Sequence, residues 1–519
     1  MIEAPNLWEL VLRRADETPT GVMAVAPDGR QLTFAEFRDR SERVAAALHR
    51  DHGIGPGSMV SWQLPTWLET IVVFGALRRL GAVQNPLLPI YRERELAFVV
   101  GQARPEVLIV PGTWAGFDHE RLAGDVCRDV PTAVLVMEGE LPQTSASDLP
   151  EAPDEDMCSA QAPTRYVYYT SGTTAVPKGA RHGDRTLWAA AATLAGGLEV
   201  SPDDRCALVF PFAHIAGGVH VWMALATGAR MLLDDQFTAQ STVPFLRDQR
   251  VTLAGSGTYF HQVYLDVQRG LPEGRRLFPE VRAFPGGGAT KPPSLHGEVK
   301  AALGGAGVVS GYGLTEAPIV TMGHVDDDDV SLATTEGRPG PHAQIRITDR
   351  EGRDRPVGEE GEIRVRAPQV MTGYLDPTHD ADAFDADGWL RTGDLGHLDE
   401  RGFLTVTGRL KDVIIRKGEN ISAKEVEDVL FEHPSVADVA LVGLPDDDRG
   451  EMACAVVVPA GGTRPGLADL QAHLDGAGLT TRKWPERLEL VTELPRNSSG
   501  KVLKDVLRDR LSETAQRPR

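Results

Sequence analysis

The sequence predicts an α/β protein of two unequal parts. The larger is an N-terminal domain of βαβ-type sheets covered by helices, carrying a small β-rich subdomain. The smaller is a mobile α+β domain at the C-terminus. Three observations lead there. A chain of 519 residues is too long for one hydrophobic core. Most of it alternates helical periodicity with short apolar strands, the pattern of parallel sheets with helices on their faces. Near residue 337 that alternation gives way to hairpin-like strands punctuated by Gly and Pro.

The elements follow in order. "MIEAPNLWELVLRRADETPT" is acidic early and then amphipathic; it lacks the basic and apolar regions of a signal peptide. "FRDRSERVAAALHR" reads as an amphipathic helix, "SMVSWQLP" as a strand, "WLETIVVFGALRRLG" as a helix and "AVQNPLLP" as a strand entering a loop. Further strands are expected at "ARMLLD", "VTLAGSG" and "GVVSGYG". The run Asp326–Asp329 reads as a solvated loop. The β-rich subdomain spans about 337–410, and the domain boundary falls at Lys411, giving units of 1–410 and 411–519. In the second unit Ser422 is placed to cap the helix of "SAKEVEDVLFEHPSV", with Glu425 completing a capping box. "ADVALVGLP" and "EMACAVVVPA" then read as strands.

Composition excludes several classes. Hydrophobic residues make up 41% and charged residues 25%, as in ordinary globular proteins. A net charge of −20 argues against a nucleic-acid binder, which needs a basic face. No apolar run is long enough for a membrane span. The 4 cysteines form no CxxC and no disulfide framework, which points to a reducing cytoplasm.

Lysine is rare, so each one can be weighed individually. The first, Lys178, closes "YTSGTTAVPKG" at 169–179. Thr170, Ser171, Gly172, Thr173 and Thr174 present hydroxyls and backbone N–H groups, Gly172 allows close approach to an anion, and Lys178 can reach a phosphate. By composition alone this is equally a polar turn between a strand and a helix. It is neither a Walker A loop nor a GxGxxG fingerprint. "GYGLTEAP" at 311–318 offers the flat face of Tyr312, the hydroxyl of Thr315 and the hard carboxylate of Glu316, a ligand type suited to Mg²⁺. Alone it reads as a strand end with a turn. "FPGGGATKP" at 284–292 has no side chains at Gly287 and Gly288 to obstruct a flat base. Asp394 of "WLRTGDLG" is a carboxylate able to accept hydrogen bonds from ribose hydroxyls. Lys501 of "LPRNSSGKVLK" follows a flexible stretch and can bring a cation to developing negative charge. "PFAHIAGG" at 211–218 is small and apolar around His214.

Together these strings closely resemble the signature motifs of the acyl-adenylate-forming superfamily, which includes acyl-CoA synthetases, peptide-synthetase adenylation domains and beetle luciferase. They occur in the family's order over almost the whole chain. One departure is Ala175, where many members carry Gly. The resemblance implies a two-step ligase using ATP, Mg²⁺ and CoA. It implies catalytic roles for Lys501, Thr315, Glu316 and His214. The nucleotide site would comprise Thr170 to Thr174, Lys178, Gly287, Gly288, Ala289, Gly311, Tyr312, Gly313, Thr315, Asp394, Arg409 and Lys501, with Glu316 holding the metal. Lys411 would be the hinge, Lys417 and Gly418 would line a CoA channel, and His214, Ile215, Gly217 and Gly218 would line the acyl pocket.

The reading is an ATP-dependent carboxylate–CoA ligase for a fatty, medium-chain or alicyclic acid, cytoplasmic, with a homodimer as one assembly. Its partners are the acid, ATP and CoA. Two alternatives stay open: a stand-alone acyl-AMP ligase that loads a carrier protein, and an inactive nucleotide-binding homologue.

Overall fold

The computed structural model describes residues 1–515 apart from 140–141, 160, 171–176, 290, 417–418, 447–448 and 498–499. Its largest sheet has six strands in the order Gly179–His182, Tyr166–Tyr169, Val83–Pro86, Met59–Trp62, Val107–Pro111 and Ala133–Met137. The pairs are parallel except the first, which is an antiparallel hairpin. The crossover helix Leu68–Arg79 is buried on every side, which is why its sequence is apolar all round. The helix Phe34–His52 starts on a capping box made by Thr33 and Glu36 and stops at Gly53, whose φ of 69° suits glycine.

A second sheet orders Arg205–Leu208, Arg230–Leu233, Val22–Val25 and Gln31–Thr33. A third orders Phe284–Gly286, Val308–Leu314, Ala317–Met322 and Arg338–Pro339. Between them "VTLAGSG" contributes isolated parallel bridges at Leu253, to Cys206 and Ala283, where a full strand was expected. The Gly-Ser-Gly that follows cannot hold an extended ladder, and Gly257 sits at φ 138°. The run Asp326–Asp329 also departs from a plain loop. Asp328 caps the helix Asp329–Thr334 by accepting from the Ser331 N–H, and Asp327 pairs with Arg338.

The β-rich region is an antiparallel sheet of Gln344–Thr348, Gly361–Arg366, Leu390–Leu398 and Leu404–Arg409. Its core of Ile347, Ile363, Leu390 and Leu404 also takes in Tyr312 and Tyr374. The C-terminal unit orders Glu419–Ile421, Ile414–Arg416, Gly450–Pro459 and Val436–Asp446, with Arg487–Leu490 parallel to Gly450–Pro459. Alternate residues of its long strands feed opposite faces: Leu441, Ala455 and Val457 meet Val426 and Leu474 of two helices, whereas Val442, Cys454 and Val456 meet Leu507 of Lys504–Ala515. Neither cluster contains a residue before Ile414, so this unit has its own core and the fold is a two-domain α/β arrangement. Ser422 caps the helix Ala423–Phe431, but the expected reciprocal box is not formed. The Glu425 carboxylate is 2.6 Å from Lys483 Nζ through both oxygens, a stronger charged partner than a backbone N–H.

One buried charge ties the large domain together. Asp184 accepts from Arg78 at 2.7 and 3.1 Å, from the Tyr166 hydroxyl at 2.9 Å and from the Leu7 N–H at 2.9 Å. The side chains of Arg78 and Asp184 are only 2% and 4% exposed. Among the described residues no helix is long and apolar enough to cross a membrane.

Removing one partner of a buried ion pair strands the other. Asp184→Ala is therefore expected to lower stability by about 3–5 kcal/mol, read as a drop in the midpoint of urea unfolding followed by tryptophan fluorescence. A loss near zero would mean that the network is dispensable.

Candidate active site

Three sheets converge on one cavity. The hairpin of Val308–Leu314 and Ala317–Met322 pairs Leu314 with Ala317, so Thr315 and Glu316 form its two-residue tip. Both line a cavity of about 360 Å³ together with Thr170, Gly287, Gly288, Gly311, Tyr312, Gly313, Arg409, Lys411, Lys501 and His214. A neighbouring cavity of about 220 Å³ shares Tyr312, Arg409 and Lys501 and adds Ala289 and Asp394. The structure thus gathers residues from positions 170 to 501 around two neighbouring cavities that share part of their lining.

Asp394 and Arg409 face each other across the antiparallel strands Leu390–Leu398 and Leu404–Arg409. The Tyr312 hydroxyl donates to Asp394 Oδ2 at 2.7 Å, which fixes the tyrosine ring. Arg409 Nε lies 2.8 Å from Oδ1 as an ion pair, yet Oδ1 accepts no aligned hydrogen bond and keeps a lone pair for an incoming hydroxyl. Burial and the neighbouring Asp394 charge push the Tyr312 hydroxyl well above its ordinary value, so it stays a donor.

The loop at 170–178 connects two antiparallel strands, not a strand and a helix, because Gly179–His182 pairs back onto Tyr166–Tyr169 before the next helix starts at Asp184. Thr170 and Lys178 close it, with backbone hydrogen bonding at 2.9 Å and the Thr170 hydroxyl accepting from the Lys178 N–H at 3.2 Å. Ser171, Gly172, Thr173 and Thr174 lie outside the described residues, as do Lys417 and Gly418.

Tyr374 is the residue that sequence reasoning missed here. Its hydroxyl donates to Glu316 Oε1 at 2.7 Å, and Lys178 Nζ stands 5.2 Å from its ring centroid. One aromatic ring therefore positions both a cation and a carboxylate. The string "MTGYL" gave no sign of this, since the contact joins positions 58 residues apart.

Lys501 reaches the cavity from the C-terminal unit. Its N–H donates to Asn497 Oδ1 at 2.9 Å. Gly500, at φ 83°, packs so close to Tyr259 that an added Cβ would sit 3.3 Å from that residue. Burial, reinforced by the Arg409 and Lys411 cations and opposed by Asp394, lowers the Lys501 ammonium to about 8. Lys411 lies in the turn Leu410–Asp412 that joins the two units. That turn is held by the helix Lys504–Ala515: Arg508 bonds Asp412 at 2.8 Å, and Lys411 lies 3.9 Å from Asp505.

The far end of the larger cavity is apolar, lined by Leu194, Leu198, Phe210, Met223 and Met322. Ile215 and His220 line it from the helix Ile215–Thr227, and His214 from the N-cap position just before that helix. Gly217 and Gly218 do not line it. They face the core, where an added Cβ would meet Phe212 O at 2.1 Å and Leu187 Cδ2 at 2.8 Å.

The family profile for the AMP-binding enzyme matches residues 11–375, and that for the AMP-binding enzyme C-terminal domain matches residues 425–501. The chain belongs to the AMP-binding enzyme family. It is 33% identical to the 3-[(3aS,4S,7aS)-7a-methyl-1,5-dioxo-octahydro-1H-inden-4-yl]propanoyl:CoA ligase of Rhodococcus jostii, covering 98% of this chain and 99% of the relative. It is 31% identical to the medium-chain fatty-acid–CoA ligase of Escherichia coli, covering 97% and 89%. Among solved structures, ATP-bound MatB from Rhodopseudomonas palustris superposes with a TM-score of 0.87 at 28% identity, covering 98% of this chain and 100% of that one. The chain is an acyl-CoA synthetase, an ATP-dependent carboxylate–CoA ligase.

Tyr374→Phe removes the hydroxyl that holds Glu316. It is expected to lower kcat/KM for ATP about tenfold, as the loss of a hydrogen bond to a charged group does, with little change in thermal stability. Steady-state pyrophosphate release measures the first and calorimetry the second.

Proposed function

We propose that this ligase activates a medium-sized, largely apolar carboxylic acid, with a medium chain or an alicyclic ring, and that the residues gathered in the cavity divide the work as follows. The observation that carries the proposal is one space lined by Lys501, Arg409 and the 311–316 hairpin at one end and by Leu194, Phe210 and Met223 at the other. A volume of about 360 Å³, shared with the nucleotide end, suits a compact acid better than a long acyl chain. The two ligases named above act on compounds of that size class.

In the first half-reaction a carboxylate oxygen attacks the α-phosphorus of ATP while the bond to pyrophosphate breaks. Two anions must meet, so the obstacle is electrostatic. Lys501 offers its ammonium to the charge that develops between carboxylate and phosphate. Asp394 accepts from the ribose and Thr170 binds the triphosphate, with Lys178, beside the Tyr374 ring rather than on the cavity wall, reaching in to the same group. Glu316 fits Mg²⁺, since Tyr374 occupies only Oε1 and Oε2 remains a hard oxygen ligand. A divalent cation there would offset triphosphate charge. In the second half-reaction the CoA thiol attacks the acyl carbonyl and AMP leaves. Lys411 is the proposed pivot between the two arrangements, with the domain boundary beside it. Among the described residues the cysteines are free, which accords with a cytoplasmic enzyme.

Pyrophosphate release with MgATP across short, medium, long, alicyclic and aryl acids, with and without CoA, tests the reading. Acid-dependent release with matching acyl-CoA supports it; release that halts at acyl-AMP in the presence of CoA favours a carrier-protein acceptor. Lys501→Ala is expected to slow adenylation roughly 10²–10³-fold, and an unchanged rate would remove Lys501 from the mechanism. The cation is the active form, and it is present below about 8 and lost above it. The value of kcat/KM for ATP should therefore fall as pH rises through about 8, and a profile flat to pH 10 would contradict the role.

A further inference from the structure

The apolar end of the acyl cavity holds two histidines whose hydrogen bonds are of opposite sense. His214 caps the helix Ile215–Thr227, with Nδ1 3.3 Å from the Ala216 N–H. A nitrogen that accepts must be unprotonated, so the neutral His214 ring carries its proton on Nε2 and presents a donor. His220 stands one and a half turns along the same helix. Its Nδ1 is 2.7 Å from the Ala216 carbonyl oxygen. A carbonyl only accepts, so here Nδ1 bears the proton and Nε2 holds a lone pair. Burial lowers both rings below the ordinary histidine range, His214 to about 4, so both are neutral at physiological pH.

His220 lines the cavity, and no hydrogen-bond partner for its Nε2 exists among the described residues. Phe210 packs edge-on against the ring with centroids 5.5 Å apart, and Leu194, Leu198, Met223 and Met322 complete the wall. A lone pair in such surroundings wants a donor; Phe210, Leu194, Leu198, Met223 and Met322 supply none, and no hydrogen bond joins it to the His214 ring that shares the cavity. We propose that His220 Nε2 is a specificity determinant that accepts a hydrogen bond from a hydroxyl on the body of the carboxylic acid, so that the preferred substrates are hydroxylated ring or medium-chain acids rather than their deoxy counterparts. The chemistry is selective in sign. A ketone or ether oxygen at the same place would face the lone pair and be repelled, whereas a hydroxyl donates. The proposal rests on the ligase reading and adds to it the substituent that the pocket selects.

The test compares matched pairs of acids that differ only by one hydroxyl, at several ring or chain positions, as the ratio of kcat/KM for acid-dependent pyrophosphate release. The wild-type enzyme is expected to favour a hydroxy acid about tenfold or more at one position, the discrimination that an unpaired acceptor facing a largely apolar pocket supplies. His220→Phe keeps an aromatic ring without an acceptor and should bring that ratio close to one. His220→Gln restores an acceptor oxygen and should recover part of the preference. Because each ratio is taken within one variant, partial loss of folded protein cancels. A wild-type ratio near one at every position, or a preference that survives in His220→Phe, overturns the proposal while leaving the ligase intact. Absence of release with every acid overturns the ligase reading and this inference with it.

Discussion

The Asp184 carboxylate is the constraint on which the large domain depends. It receives Arg78 from one helix, Tyr166 from a central strand and the backbone of Leu7 at the start of the first helix. Taking these charges out of water is costly, and apolar packing of equal volume would hold the layers together as well. What apolar packing would not do is fix their relative placement, because dispersion contacts tolerate small slides and aligned charged hydrogen bonds do not. Tyr166 stacks on Phe74 and Tyr168, so the strand that enters the 170–178 loop is held at its root in position and angle. Thr170 and Lys178, which close the loop, thus stand on a fixed base.

The nucleotide end applies the same logic with partial access to solvent. Asp394, Arg409 and Tyr312 form a triad between the β-rich sheet and the hairpin of the third sheet. Arg409 compensates the carboxylate electrostatically without consuming the Oδ1 lone pair. Lys501 enters this field from the opposite unit. Its ammonium is destabilised by burial beside two other cations. The proposed adenylation step would use such a poorly solvated cation.

The architecture was largely legible in the sequence, because alternation of apolar strands with amphipathic helices is a local property. Thr315, Glu316, Asp394 and Lys501 were legible as motif residues, since the strings around them are distinctive. Tyr374 and His220 were not. Tyr374 acts on a carboxylate 58 residues earlier, and nothing in "MTGYL" encodes that encounter. His220 sits on an otherwise apolar helix, where the role of a histidine depends on which nitrogen a carbonyl four residues back engages. Gly217 and Gly218 show the reverse error: their small size reads as room for a substrate, but it admits Phe212 and Leu187 instead. The segment "VTLAGSG" has strand composition, yet its glycines reduce it to bridges at Leu253.

The turn Leu410–Asp412 has a consequence of a different kind. Asp412 and Lys411 are gripped by Arg508 and Asp505 of the last helix, and all four side chains are partly open to water. Asp412, Asp505 and Arg508 all lie on the C-terminal side of Lys411, so the grip braces the turn from the small unit's own side. Charges so placed feel the surrounding electrolyte, whose screening length is about 8 Å at physiological ionic strength. How stiffly this turn is braced is thereby set partly by the bathing medium, as a joint whose give depends on the salt around it.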